Sequence, residues 1–140
     1  MTRFEQLYPR LAVKGADQAI AFYRQAFGAE LVERYTDRDG LVVHALLRAG
    51  DAVFAVKDHN EYDPAPPEGG YCVLALKVSD VDAVAAAMEK AGATVRFPVA
   101  DQPYGDRAGR LVDPFGHQWN LSYPIEQLDP TEIQHRLDAP

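Results

Sequence analysis

Ala16-Asp17-Gln18-Ala19-Ile20-Ala21-Phe22-Tyr23-Arg24-Gln25-Ala26-Phe27-Gly28-Ala29 and, further along, Asp80-Val81-Asp82-Ala83-Val84-Ala85-Ala86-Ala87-Met88-Glu89-Lys90-Ala91-Gly92-Ala93 are two versions of one phrase. In the first, Ile20, Tyr23 and Phe27 fall on one stripe, with Ala19 and Ala26 beside it. In the second, Val81, Val84, Ala85 and Met88 repeat the stripe. This is the period of an amphipathic helix, and it predicts helices over Asp17–Phe27 and Asp80–Ala91. Gly28 and Gly92 stand where a left-handed residue ends a helix. Ser79 is the expected cap of the second helix, with Asp82 three residues on as a weak capping box.

Outward from these phrases the same grammar continues. An alternating strand precedes each helix, Pro9–Val13 and Val73–Val78. After the first helix come three strand candidates, Glu30–Tyr35, Leu41–Arg48 and Ala52–Lys57, punctuated by Asp39-Gly40 and Gly50-Asp51. After the second come Thr94–Phe97, an irregular stretch from Pro98 to Gly105, then Arg107–Val112. The turn Asp113-Pro114-Phe115-Gly116 leads into Gln118–Tyr123. Ala65-Pro66-Pro67-Glu68-Gly69-Gly70 is the seam between the copies. In the tail, Asp129 is an N-cap, Pro130 suits the first helical position and Glu132 completes a capping box. Leu128 and Ile133 stand at staple positions, so a short helix is expected on the body or on a neighbouring subunit.

The order is therefore βαβββ–βαβββ–α, an α+β fold of paired modules with a short C-terminal helix. Internal repetition of this kind points to architecture before chemistry. The expected organisation is a single domain over 1–140: repeat one about 8–57, linker 58–70, repeat two 71–123, tail 124–140. Each module alone would expose one sheet face, so two must share the burial within one chain or across a dimer, enclosing a cavity.

The 140 residues suffice for one domain with its own core. An excess of Asp and Glu (21) over Lys and Arg (14) gives a net charge of −7, which argues against a nucleic-acid partner. No apolar run reaches the length of a membrane span, and Met1-Thr2-Arg3-Phe4-Glu5 has no secretion-type apolar region. Cys72, the single cysteine, has no internal disulfide partner. A cytoplasmic protein is the expectation.

Particular words resemble a known family. They are Lys14-Gly15-Ala16-Asp17-Gln18-Ala19-Ile20-Ala21-Phe22-Tyr23, Ala26-Phe27-Gly28-Ala29-Glu30, His44-Ala45-Leu46-Leu47, and Val78-Ser79-Asp80-Val81-Asp82-Ala83. Tyr104-Gly105-Asp106-Arg107 and Asp113-Pro114-Phe115-Gly116-His117-Gln118-Trp119 complete the set. Together they resemble the vicinal oxygen chelate superfamily of glyoxalase I, extradiol dioxygenases and bleomycin-resistance proteins, and within it the PhnB-like branch. The resemblance covers nearly the whole chain and implies the glyoxalase/bleomycin-resistance fold and a homodimer. One fold hosts many reactions, so it does not by itself assign chemistry.

Metal-using members place one ligand on the first and last strand of each repeat, usually His, Glu or Gln. Carried onto this chain, those positions are Tyr8, Phe54 or Ala55, Val73 and Asn120. Val73, Phe54 and Ala55 have no coordinating atom, and Tyr8 and Asn120 are poor ligands for Zn²⁺ or Ni²⁺. A cation would lose hydration there and gain little. No metal and no cofactor are therefore expected, which disfavours glyoxalase I activity and extradiol cleavage. His44, His59, His117 and His135 show no ligand spacing. His44 lies mid-strand, either facing the cavity or satisfied by a neighbour. His59 belongs to a solvated loop, His117 to the turn, and His135 to the tail surface.

Alternation assigns faces. Leu11 and Val13, and Leu74, Leu76 and Val78, pack under the helices. Tyr8, Arg10 and Ala12, and Tyr71, Val73 and Ala75, face the cavity. On the last strand Trp119 and Leu121 oppose Gln118, Asn120 and Ser122. Trp119 is a ligand platform or a core residue, the phase with Leu121 favouring core. Tyr104 on the rim can stack on a planar ligand, and Asp106 and Arg107 either orient a polar group or pair with each other. Tyr62 and Tyr71 flank the seam. The ligand-binding candidates are Tyr8, Arg10, His44, Phe54, Tyr71, Val73, Tyr104, Trp119 and Asn120, a set that suits an organic ligand better than an ion.

Two function classes follow. One is a metal-independent small-molecule-binding protein that sequesters a drug or metabolite, its acidity favouring a cationic drug. The other is a PhnB-like enzyme using side-chain acid–base chemistry, with His44 or Tyr104 as acid or base and Arg10 or Arg107 stabilising negative charge. A lyase or dioxygenase with a displaced metal site, built from His44 and nearby carboxylates, ranks below both.

Overall fold

Eleven elements form in the computed structural model, which describes residues 1–67 and 70–140; Glu68 and Gly69 of the seam lie outside the described residues. They are β1 (Arg10–Val13), α1 (Ala16–Phe27), β2 (Glu30–Thr36), β3 (Val42–Ala49), β4 (Ala52–Asp58), β5 (Val73–Lys77), α2 (Val81–Lys90), β6 (Thr94–Asp101), β7 (Asp106–Val112), β8 (Gln118–Pro124) and α3 (Pro130–Asp138). The order is the expected βαβββ–βαβββ–α. Two units result, Met1–Pro66 and Pro67–Pro140.

Each unit holds one four-stranded mixed sheet, ordered β1-β4-β3-β2 in the first and β5-β8-β7-β6 in the second. In both, the first strand runs parallel to the last, and the remaining pairs are antiparallel. The identical strand order is the structural form of the repeated phrase.

In the first unit the stripe of α1 meets the alternate residues of the sheet. Tyr23 and Phe54 are almost fully buried and pack edge to face, with ring centroids 5.1 Å apart. Leu11, Val13, Leu47 and Val56 complete this layer. Asp58 ties the layer together, its carboxylate accepting from Ala16 N and from Val42 N, both at 2.8 Å. Gly28 ends α1 in the left-handed region at φ 65°.

In the second unit Val81 and Met88 of α2 lie over Leu111, Trp119 and Leu121. Burying each of these large apolar side chains contributes about 1.5–3 kcal/mol. Asp113 organises the turn between β7 and β8. Its Oδ1 accepts from Phe115 N and His117 N, and its Oδ2 from the Trp119 indole N–H at 2.9 Å.

Three local expectations need correction. Asp80, not Ser79, caps α2, its side chain accepting from Ala83 N at 3.0 Å. Strand β6 does not stop at Phe97 but continues through Pro98 to Asp101. A register shift between Phe97 and Ala100 takes Pro98 out of the ladder, where a missing N–H costs nothing. In the tail, Asp129 caps α3 as expected, accepting from Glu132 N at 2.8 Å. The Glu132 side chain, however, turns to Arg136 at 3.1 Å and does not close a capping box.

Candidate functional site

The register of the second sheet builds the site. Val73 pairs with Gln118 and Ala75 with Asn120; Asn120 pairs in turn with Arg110, and Arg110 with Phe97. Paired residues share a face, so Ala75, Asn120, Arg110 and Phe97 form one row across four strands. Their neighbours in phase, Trp119 and Leu111, face α2, so the row lies on the side away from the helix.

Arg110 is the centre of that row. Its Nε and Nη2 donate to Asn120 Oδ1 and its Nη1 to Gln118 Oε1, all at 3.3 Å. Its guanidinium carbon stands 5.6 Å from the Phe97 ring centroid, and that of Arg96 stands 5.9 Å from the same ring. Phe97, Gln102, Tyr104, Arg110 and Asn120 line a groove of about 290 Å³. Tyr104 is 37 % exposed and Phe97 55 %, so neither residue is closed off by the fold.

Several cations of the chain are ion-paired. Lys57 holds Asp63 at 2.6 Å, and Arg34 holds Asp17 at 2.9 Å. Arg107 binds Asp82 at 2.7 Å and Asp101 at 2.8 Å. Hydrogen bonding to Arg107 pulls the Asp82 carboxyl below its ordinary range, and the two carboxylates push Arg107 further up. Arg110 differs: among the described residues no carboxylate lies within ion-pair range of it.

This places the expected residues. Tyr104 and Asn120 meet in the groove. Val73, 43 % exposed, sits beside Gln118 at the other end of the sheet. Tyr71 is exposed and precedes β5. In the first unit Arg10 lies beside Ala55, and Tyr8 precedes β1. His44 faces away from α1, where its Nε2 meets Glu33 Oε2 at 3.1 Å and its ring stacks on Tyr35. That is a histidine satisfied by neighbours. His59 extends the strand pairing through its N–H to Val13 O, His117 N binds the Asp113 carboxylate, and His135 is exposed.

Three candidates are overturned by their phase. Phe54 packs on Tyr23 and Phe27 beneath α1, so Ala55 holds the alternate face. Trp119 is 3 % exposed and bonded to Asp113, which makes it core. Arg107 is occupied by one carboxylate of α2 and one of β6; it pairs with Asp82 and Asp101, not with Asp106. Arg110 and Phe97 are the residues that alternation within single strands did not single out. Counting back from the Asp113 turn would have found Arg110, because Val112 and Gln118 close that hairpin and Arg110 then opposes Asn120.

The positions that hold metal in metal-using relatives do not fit a metal here. Ala55 and Val73 offer no donor atom. Asn120 Oδ1 already faces a guanidinium, whose charge repels a divalent ion. No cluster of three or more His, Cys, Asp or Glu suited to a metal occurs among the described residues. Nor is any helix among them long and apolar enough to cross a membrane.

Comparison with known proteins agrees with the architecture. A Mycobacterium bovis protein, Mb0911c, itself uncharacterized, is 37% identical over 140 residues, covering 95% of this chain and 92% of its own. The crystal structure of TioX from Micromonospora sp. ML1 superposes with a TM-score of 0.68 at 28% identity, over 86% of this chain and 99% of that one. A PhnB protein from Bacillus cereus, described as a putative 3-demethylubiquinone-9 3-methyltransferase, gives 0.67 at 20% identity, over 85% and 99%. At that identity the likeness is one of fold. The profile of the Glyoxalase/Bleomycin resistance protein/Dioxygenase superfamily matches residues 5–121. With the duplicated βαβββ unit and its two sheets of identical order, the chain belongs to the glyoxalase/bleomycin resistance protein/dioxygenase superfamily.

Proposed function

We propose that the chain is a metal-independent small-molecule-binding protein of the glyoxalase/bleomycin-resistance type, in the PhnB-like branch, which sequesters a small organic compound. One observation carries this reading. The position where metal-using relatives place a last-strand donor holds Asn120, and its amide oxygen is engaged by the Arg110 guanidinium beside an aromatic groove of organic size. Such a surface offers ring faces and hydrogen-bond donors, which suit an organic guest.

A thermal-shift screen of the apo-protein tests it, using planar drugs, aldehydes and small metabolites, each with and without Zn²⁺, Ni²⁺ or Mn²⁺. A ligand at one hundred times its Kd stabilises the native state by about 2.7 kcal/mol, a rise in Tm of several degrees. Stabilisation by at least one compound without added metal is expected. Stabilisation that requires a metal, or none across the panel, overturns the reading. Turnover of a bound compound, abolished by His44→Ala, would move the assignment to the acid–base enzyme.

A further inference from the structure

The net charge of −7 invites a cationic guest, but the groove on the second sheet is furnished for the opposite charge. We infer that the groove lined by Phe97, Tyr104, Arg110 and Asn120 takes a small flat aromatic anion, its carboxylate on the Arg110 guanidinium and its ring against Phe97 and Tyr104. This assignment names the ligand class for the small-molecule-binding reading above and rests on it.

The first argument is the state of Arg110. Its three hydrogen bonds all go to amide oxygens, which are neutral, and all are 3.3 Å long. Asn120 and Gln118 hold the plane of the guanidinium but leave its charge uncompensated. A guanidinium has five N–H donors in a fixed fork that matches a carboxylate. A charge-assisted pair of such bonds is about twice as strong as neutral ones, so an incoming carboxylate gains what the amides do not supply.

The second argument is independent of the first. Two guanidiniums flank one phenyl ring, Arg110 at 5.6 Å and Arg96 at 5.9 Å from the centroid of Phe97. Two like charges beside one ring bias this spot toward an anion despite the acidity of the chain as a whole. At physiological ionic strength screening acts over about 8 Å, so groups at contact outweigh the distant acidic surface. The acidic residue on the same face of β7, Asp106, is four positions from Arg110, roughly 13 Å along the strand.

Size fixes the rest. A groove of about 290 Å³ lies at the lower end of small-molecule sites, enough for one or two fused rings. Phe97 and Tyr104, both partly exposed, supply aromatic surface against which such a molecule packs.

The test uses three matched probes on the full chain by titration calorimetry: 2-naphthoate, 2-naphthamide and 2-naphthylmethylammonium. The carboxylate is expected to bind about tenfold or more tightly than the amide, and the ammonium most weakly. Arg110→Gln abolishes the preference for the carboxylate, and Arg110→Lys, which keeps charge but loses the fork, retains only part of it. Phe97→Ala weakens carboxylate and amide together. An amide or ammonium that matches the carboxylate in the wild type overturns the inference, as does absence of carboxylate binding or a preference that survives in Arg110→Lys and Arg110→Gln alike. If the naphthoate fails while another compound of the wider screen binds without metal, the anion class falls and the binding reading stands.

Discussion

The Arg110 guanidinium grips the side-chain oxygen of Asn120 from two of its nitrogens, Nε and Nη2, each at 3.3 Å. One contact thus places a fixed positive charge at the strand position where metal-using relatives keep a metal ligand. The consequence for metals is direct. Zn²⁺, Ni²⁺ or Mn²⁺ at tenfold molar excess should leave Tm unchanged to within about one degree, because an ion with no specific site adds no linkage. A saturable rise of several degrees with any one of them, measured on protein without an affinity tag, would contradict this.

Asp113 is the anchor of the second sheet. Its carboxylate takes three N–H donors, from Phe115, His117 and the Trp119 indole, and is buried. Asp113→Ala strands those donors at about 1–3 kcal/mol each where water cannot reach them, so a loss of about 3–5 kcal/mol is expected. Trp119→Phe removes one donor and costs about 1–3 kcal/mol. Urea denaturation with unchanged m-value checks both. A loss below about 1 kcal/mol for Asp113→Ala would show that the turn is held by other means.

Arg107 fastens α2 to the end of β6 through Asp82 and Asp101. Hydrogen bonding to Arg107 depresses the Asp82 carboxyl below its ordinary 3.8. A depressed carboxyl contributes stability that is present above pH 3.8 and is lost as pH falls through the lower, folded value. The acid limb of a stability–pH curve should therefore steepen below about pH 4, and Arg107→Gln should flatten it. The pairs are solvent-exposed, so 0.5 M salt should shrink the difference. Parallel acid limbs for wild type and Arg107→Gln would remove the clamp from the account of stability.

Much of this architecture is legible in the sequence. The repeated helix phrase, its Gly-Ala ending and the alternating strands dictate the element order, because each is a local property of the chain. Faces were readable where a strand alternates cleanly, as in Leu11 and Val13. They were not readable at Phe54 and Ala55, where an uncertainty of one residue moves a side chain to the opposite face. Pro98 reads as the end of a strand because a proline breaks the ladder locally, yet the neighbouring register shift absorbs it. Arg110 and Phe97 were missed for a different reason. Their meeting depends on the pairing of β6, β7 and β8, a relation between strands that the pattern within each one does not carry.

Gly109 offers the sharpest test of how the groove is built. It stands between Ala108 and Arg110 on β7 and pairs with Leu121. A Cβ placed there would lie 2.7 Å from Val99 Cγ2 and 3.0 Å from both Val99 Cα and Val99 N. Two of those three atoms are backbone, so a rotamer change of Val99 cannot relieve the overlap; β6 itself must move. The movement falls on the irregular part of β6, between Phe97 and Ala100, which also carries the Phe97 ring toward Arg110. Gly109→Ala should therefore cost about 1–3 kcal/mol in urea, the usual range for forcing atoms into a filled site. It should also weaken 2-naphthoate more than Ala108→Gly does, since the Phe97–Arg110 spacing is set by this approach. A Gly109→Ala protein with wild-type stability and wild-type naphthoate affinity would mean that β6 is free to yield, and that its closeness to β7 does not shape the groove.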